Sequence, residues 1–132
     1  MADTLIAEID NDTIVELFRE LGWQIRPGDP QDAAHPVGTV NGVNFNVRPG
    51  TKLADKAAWT DFTLSAPFQV DQAVSPVVAA SWNRRNRFSR AYRTETQLIL
   101  ETDIVVAGGV SRGHLKYQLA IWSDVTRLFV RH

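Results

Sequence analysis

A chain of 132 residues with 44% hydrophobic and 22% charged residues is too apolar for disorder, and halving it would leave pieces too small to bury much surface. Its formal net charge of -1 and pI near 6.3 set up no global field to draw in nucleic acid or acidic lipid. Zero cysteines exclude a disulfide framework, a thiolate zinc site and a cysteine nucleophile, and fit a reducing compartment. The reading is one domain over residues 1–132.

The opening "MADTLIAEIDND" is acidic and lacks the basic start and apolar core of a secretion signal. No uninterrupted apolar run approaches the roughly 20 residues that span a bilayer, so a cytoplasmic protein without a membrane partner is expected. "IDNDTIVELFRELGW" reads as the first helix, with Ile14, Leu17, Phe18 and Leu21 on one face. Asp10 is its expected N-cap, with Ile9 and Ile14 as a hydrophobic staple; Thr13 and Glu16 offer a rival, shorter capping box. Gly22 ends it in the left-handed conformation, and Trp23 folds back on Phe18.

Residues 24–36, with three prolines and a glycine, read as a loop or a short strand with a long turn. Asn41-Gly42 signals a two-residue hairpin, followed by alternation of Val43, Phe45 and Val47 with polar neighbours until Pro49-Gly50. "WTDFTLSAPF" reads as a third strand. A second helix is expected over "SPVVAASWNRRN", with Ser75 as N-cap, Pro76 at the first position and a stripe of Val74, Val77, Val78, Ser81 and Trp82. Asp71 is an alternative start.

Two strands follow, "RFSRAYRT" and "QLILETDIVVA", joined by a turn near Glu95, with Leu98, Leu100, Ile104 and Val106 on one face of the second. Phe88, Arg90 and Tyr92 are placed on one face of the first. "GGVSRGHL" turns into a last helix capped by Ser111. Its main stripe is Leu115, Leu119, Trp122, Val125 and Phe129, widened by Tyr117, Ile121 and Leu128. The predicted order is α-β-β-β-α-β-β-α, an α+β fold.

At "SWNRRNRFSRAY", followed by "LILETDIVVAGGVSRGHLKYQLAIW", the sequence resembles the YbjN family of bacterial sensory transduction regulators. The residues carrying the resemblance are Trp82-Asn83, Arg87-Phe88, Ala91-Tyr92, then Gly108-Gly109-Val110-Ser111 before a helix that contains Trp122. "LFRELGW" resembles the family's opening. The resemblance implies helices packed on one face of a twisted, mainly antiparallel sheet, similar to the small dimeric chaperones of type III secretion. It also implies a protein-binding or regulatory role and no catalysis; no cofactor is expected. The two-sided last helix can bury its second face in a homodimer, which the resemblance supports, unless the sheet and first helix together cover both sides. Trp82, Asn83, Arg87, Phe88, Tyr92, Gly108, Gly109, Ser111 and Trp122 are then the signature positions and possible interaction residues.

Residue chemistry frames the alternatives. "SWNRRNRFSRAYR" holds Arg84, Arg85, Arg87, Arg90 and Arg93 without an acid, whereas the first twenty residues hold six acids against Arg19 alone. One reading pairs these halves, within a protomer or across a dimer, puts Arg84 and Arg85 at the negative end of a helix dipole, and lets Arg90 reach an acid such as Asp103. The rival is a nucleic-acid-binding regulator using Arg84–Arg93 and the interleaved aromatics. It is disfavoured by the net charge and by the absence of RNA-recognition or helix-turn-helix signatures.

Trp82-Asn83 reads as a core tryptophan beside an asparagine that bonds orphan backbone groups. "AGGVSRGH" lacks the lysine-Ser/Thr ending of a P-loop and reads as a capped strand-to-helix turn. His35, His114 and His132 have no ligand spacing, so no metal site is expected. Glu101 and Asp103 share a strand face, as a solvated pair or as partners of the arginines. No serine lies in a nucleophile elbow, and catalysis is unsupported.

Overall fold

The computed structural model describes residues 4–26, 35–71 and 75–131. Helix α1 (Asn11–Glu20) starts at Asp10, whose Oδ1 accepts from the Thr13 N–H at 2.8 Å, so the longer of the two expected caps is used. Ile9 and Ile14 are both buried beside it. Gly22 takes φ 77°, which lets Trp23 return onto Phe18 with ring centroids 5.0 Å apart.

Six strands make one antiparallel sheet: β1 (Gln24–Arg26), β2 (Val37–Val40), β3 (Val43–Pro49), β4 (Asp61–Gln69), β5 (Arg90–Arg93) and β6 (Gln97–Val105), in the order β1-β2-β3-β4-β6-β5. The expected order holds, with the three-residue β1 added at one edge. The turn Asn41-Gly42 has φ 54° and 75°, as a two-residue hairpin between twisted strands requires.

Helices α2 (Val77–Arg85) and α3 (Arg112–Val130) join α1 on one face of the sheet. The alternation read from the strands supplies that face: Val43, Phe45 and Val47, then Phe62, Leu64 and Ala66, then Leu98, Leu100 and Ile104 are buried. Aromatic edges tie the layers, Phe45 to Phe18 and Trp122, and Phe129 to Trp82 and Phe68. The N-terminal segment is stitched to the sheet end by paired backbone bonds, Ile6 with Val110 and Ile9 with Trp59.

Three local expectations are corrected. In α2 the buried positions are Ala79 and Trp82 with Val78 packed beside them, while Val77 is 66% exposed. Trp82 fixes the stripe, and the residues one turn before it are 78 and 79 rather than 77. The helix also begins at Val77, its N–H bonded to Ser75 Oγ at 3.2 Å, so Pro76 precedes the first helical residue. Val74 and the region of the alternative start at 72–74 lie outside the described residues, as do residues 27–34 of the expected long turn. The strand expected from Arg87 begins only at Arg90, so Phe88 does not share the face of Arg90 and Tyr92.

Candidate functional site

The arginine segment separates into two environments. Arg90 and Tyr92 lie on the helix-free face of the sheet, where the register sets Arg90 opposite Glu101. Arg90 donates to Asp103 at 2.6 Å and to Glu101 at 2.9 Å; Arg48 adds a 3.1 Å ion pair to Glu101, and Ser65 and Tyr92 donate their hydroxyls to it. Glu101 is 2% exposed although its face of the sheet is open to solvent, because these long side chains roof it. Burial pushes its carboxyl up, but the Ser65 hydroxyl and the Arg48 and Arg90 guanidinium groups outweigh that and hold it below the ordinary value. The Arg90 hydrogen bond likewise holds Asp103 down. For this part of the segment, pairing with the chain's own carboxylates is correct.

Arg84, Arg85 and Arg87 are different. All three are exposed, and among the described residues none has a carboxylate within ion-pair distance. The acids of α1 do not reach them: Glu16 and Glu20 pair with Arg112 and Lys116 at the start of α3. Within one protomer, the expected pairing of the acidic N-terminal helix with the arginine segment is therefore replaced by pairing with α3.

Between these two groups, the signature pair performs two structural tasks. Trp82 is buried against Phe129, and its Nε1–H donates to Ser89 Oγ at 3.0 Å. Asn83 bonds both backbone groups of Ala91, accepting from the N–H at 2.7 Å and donating to the carbonyl at 2.9 Å. This closes the β5 edge with a side-chain amide, which stands where a further strand would pair.

The connection from α2 to β5 then makes a sharp turn. Phe88 adopts φ 71°, a conformation bulky side chains rarely take, and its ring is 58% exposed. Thr102 holds the Phe88 carbonyl at 2.8 Å, Asn86 bonds back to the Trp82 carbonyl at 2.9 Å, and Ser89 is fixed by Trp82. Arg87 lies over the Phe88 ring, 4.8 Å from its centroid.

This turn forms one wall of a groove of about 650 Å³ between α2 and α3. Trp82, Phe88, Tyr117, Ile121, Val125 and Leu128 give it apolar surface; Arg85, Asn86, Arg87, His114, Gln118 and Asp124 form its polar parts. Tyr117 is 67% and Leu128 49% exposed, so the extra apolar row on α3 does face outward while Leu115, Leu119, Trp122, Val125 and Phe129 serve the core. The spacing of 117, 121 and 128 signalled that second row. What the sequence did not show is that the Arg87-Phe88 turn lies across from it.

The remaining signature residues are architectural. Gly108 and Gly109 have φ 86° and 93°, and Leu5 packs where a Cβ on Gly109 would sit. Ser111 caps α3 by accepting from the His114 N–H at 3.0 Å. Trp122 is fully buried against Phe45. His114 faces Gln118, and among the described residues no three metal-binding side chains cluster. Among the described residues no helix is long and apolar enough to cross a membrane.

Among the described residues, three helices on one face of a six-stranded antiparallel sheet, with an apolar groove between the last two, define an α+β domain. The sequence model of the YbjN family, described as "Putative bacterial sensory transduction regulator", matches residues 10–132, and the chain belongs to that family. A solved structure, "Crystal structure of YbjN, a putative transcription regulator from E. coli", superposes with a TM-score of 0.71 at 13% identity. The match covers 96% of this chain and 92% of that one, and establishes a shared fold. No curated protein matches the sequence.

Proposed function

We propose that this protein is a non-enzymatic regulatory domain that holds a protein partner in the α2–α3 groove, in the manner expected of a chaperone-like domain of the cytoplasm. The observation that carries the reading is Phe88. An exposed aromatic held at positive φ by three hydrogen-bonded neighbours contributes little to the core and presents its ring at the groove wall. Strain kept in place by surrounding contacts is found where a surface has a task. Family membership supports the regulatory role. The edge of β5 is a poor alternative for strand addition, because Asn83 occupies it.

A homodimer through the same row of Tyr117, Ile121 and Leu128 is the second reading, favoured by the outward apolar face of α3. Against it, a two-fold axis through the groove would bring Arg85 and Arg87 of one copy, which no carboxylate among the described residues pairs, toward those of the other.

The test is site-specific photo-crosslinking in bacterial cells, with the reactive residue at Tyr117 or Leu128 and, as control, at Thr39 on the open sheet face. A discrete heterologous adduct from the groove positions alone is expected. Equal labelling at Thr39, or no adduct at all, would refute the groove; an adduct of twice the chain's mass would favour the homodimer. Gel shift of labelled DNA or RNA that disappears steeply with salt would favour the nucleic-acid reading instead.

A further inference from the structure

Resting on the groove reading, we infer that the occupant is an acidic protein segment of about ten residues with apolar anchors. The anchors fill the space between Phe88 and the row Tyr117, Ile121 and Leu128, and its carboxylates meet Arg85 and Arg87, the two arginines that line the groove.

The charge argument starts from what the chain's own acids do. Glu16 and Glu20 are engaged by Arg112 and Lys116, Glu101 and Asp103 by Arg90, and Asp124 by Arg127. Three cations at the end of α2 are left without a carboxylate among the described residues, and two of them line the groove. Arg87 is held over the Phe88 ring, so part of the cost of ordering its side chain is already met before binding. A guanidinium presents a planar fork of donors that suits a carboxylate.

The length follows from α3. Tyr117 and Leu128 are separated by eleven helical steps, about 16 Å at 1.5 Å per residue, which matches roughly three turns of a docked helix. The chemistry of the floor selects among polyanions. Phe88, Tyr117, Ile121 and Leu128 line the same groove as Arg85 and Arg87 with apolar surface. A nucleic-acid backbone carries charge continuously and gains from cations spread along its path. Here only Arg85 and Arg87 line the groove, beside a mainly apolar surface that also carries the carboxylate of Asp124, which suits a segment whose few acids accompany apolar side chains.

The experiment is selection of a random 12-residue displayed peptide library on the full chain, with the Leu128→Asp variant as the counter-selection. Peptides with net negative charge and apolar residues at helical spacing should be enriched, and a labelled one should bind at least tenfold more weakly to the Arg85→Glu, Arg87→Glu double variant. That variant changes only exposed side chains, and its circular dichroism melt is the check on folding. Enrichment of basic or uncharged peptides that still depend on Leu128 would overturn the acidic occupant while leaving the groove standing. Failure to enrich any peptide over the Leu128→Asp control would overturn both. Retention of a single-stranded oligonucleotide by the wild type but not by the arginine variant, without peptide enrichment, would also overturn it. So would self-association in sedimentation that Leu128→Asp abolishes.

Discussion

The side-chain amide of Asn83 lies against the peptide of Ala91, with Oδ1 2.7 Å from its nitrogen and Nδ2 2.9 Å from its oxygen. An asparagine on α2 thereby imitates one residue of a neighbouring strand and ends the sheet at β5. Replacing Asn83 by Ala leaves a half-covered N–H and C=O at a sheet edge, which costs about 1–2 kcal/mol. Denaturant unfolding should show that loss together with concentration-dependent association, since an unprotected edge templates pairing. Asn83→Asp keeps the acceptor but sets a carboxylate against the Ala91 carbonyl, so it should recover little. Full stability with no association in Asn83→Ala would show that the amide contact is incidental.

Acid should unfold the protein partly through Glu20. The hydrogen bond from Arg112, then that from Lys116, lowers its carboxyl from 4.5 to about 2. In that window the unfolded chain binds a proton that the folded chain does not, so folding stability rises with pH. The contribution is therefore complete above about pH 4.5 and disappears as pH falls toward 2. Asp61, held down chiefly by the Thr51 N–H, and Asp103, held down by Arg90, add to the same acid limb. Arg112→Gln should flatten the stability–pH curve between these limits and leave stability near pH 2 close to that of the wild type. Urea midpoints measured at several pH values would show it; parallel curves would contradict the assignment.

Periodicity made much of this fold legible. The alternation in β3, β4 and β6 and the stripe of α3 come directly from where apolar residues must point, and Asp10, Gly22, Asn41-Gly42 and Ser111 mark ends that backbone geometry demands. What stayed hidden depends on tertiary neighbours. Val77 was read into a buried stripe that Trp82 actually rotates away from it. Phe88 was read into a strand because nothing in the local pattern reveals a positive φ held by Thr102 from β6. The partners of Glu20 lie more than ninety residues downstream, so a count of acids and arginines matched the wrong segments. For the groove, the row on α3 was visible and the wall opposite it was not.

Gly38 stands opposite Phe45 in the β2–β3 register, and the ring covers it. A Cβ on Gly38 would run into the Phe45 ring at Cζ. The ring has nowhere to retreat, because Phe18, Trp23 and Trp122 surround it with centroids 5.6 to 5.7 Å away. Gly38→Ala should therefore cost about 1–3 kcal/mol by overpacking, although alanine suits a strand better than glycine. The double change Gly38→Ala, Phe45→Leu should lose less than the sum of the two single changes, which a double-mutant cycle measures. Strict additivity would mean that the contact is relieved by backbone movement instead.

Phe88 separates stability from function. Its left-handed conformation costs about 1–2 kcal/mol for a residue with a Cβ, and its exposed ring recovers only part of that through Arg87 and the groove wall. Glycine removes the penalty but widens the unfolded ensemble by about 0.4–1 kcal/mol. Phe88→Gly should thus leave stability unchanged or raise it by up to about 1 kcal/mol, where a core phenylalanine would lose about 3–5 kcal/mol on truncation. Partner crosslinking from Leu128 should fall severalfold in the same variant. A large loss of stability would make the ring a core element, and undiminished crosslinking in a stable Phe88→Gly protein would remove it from the binding surface.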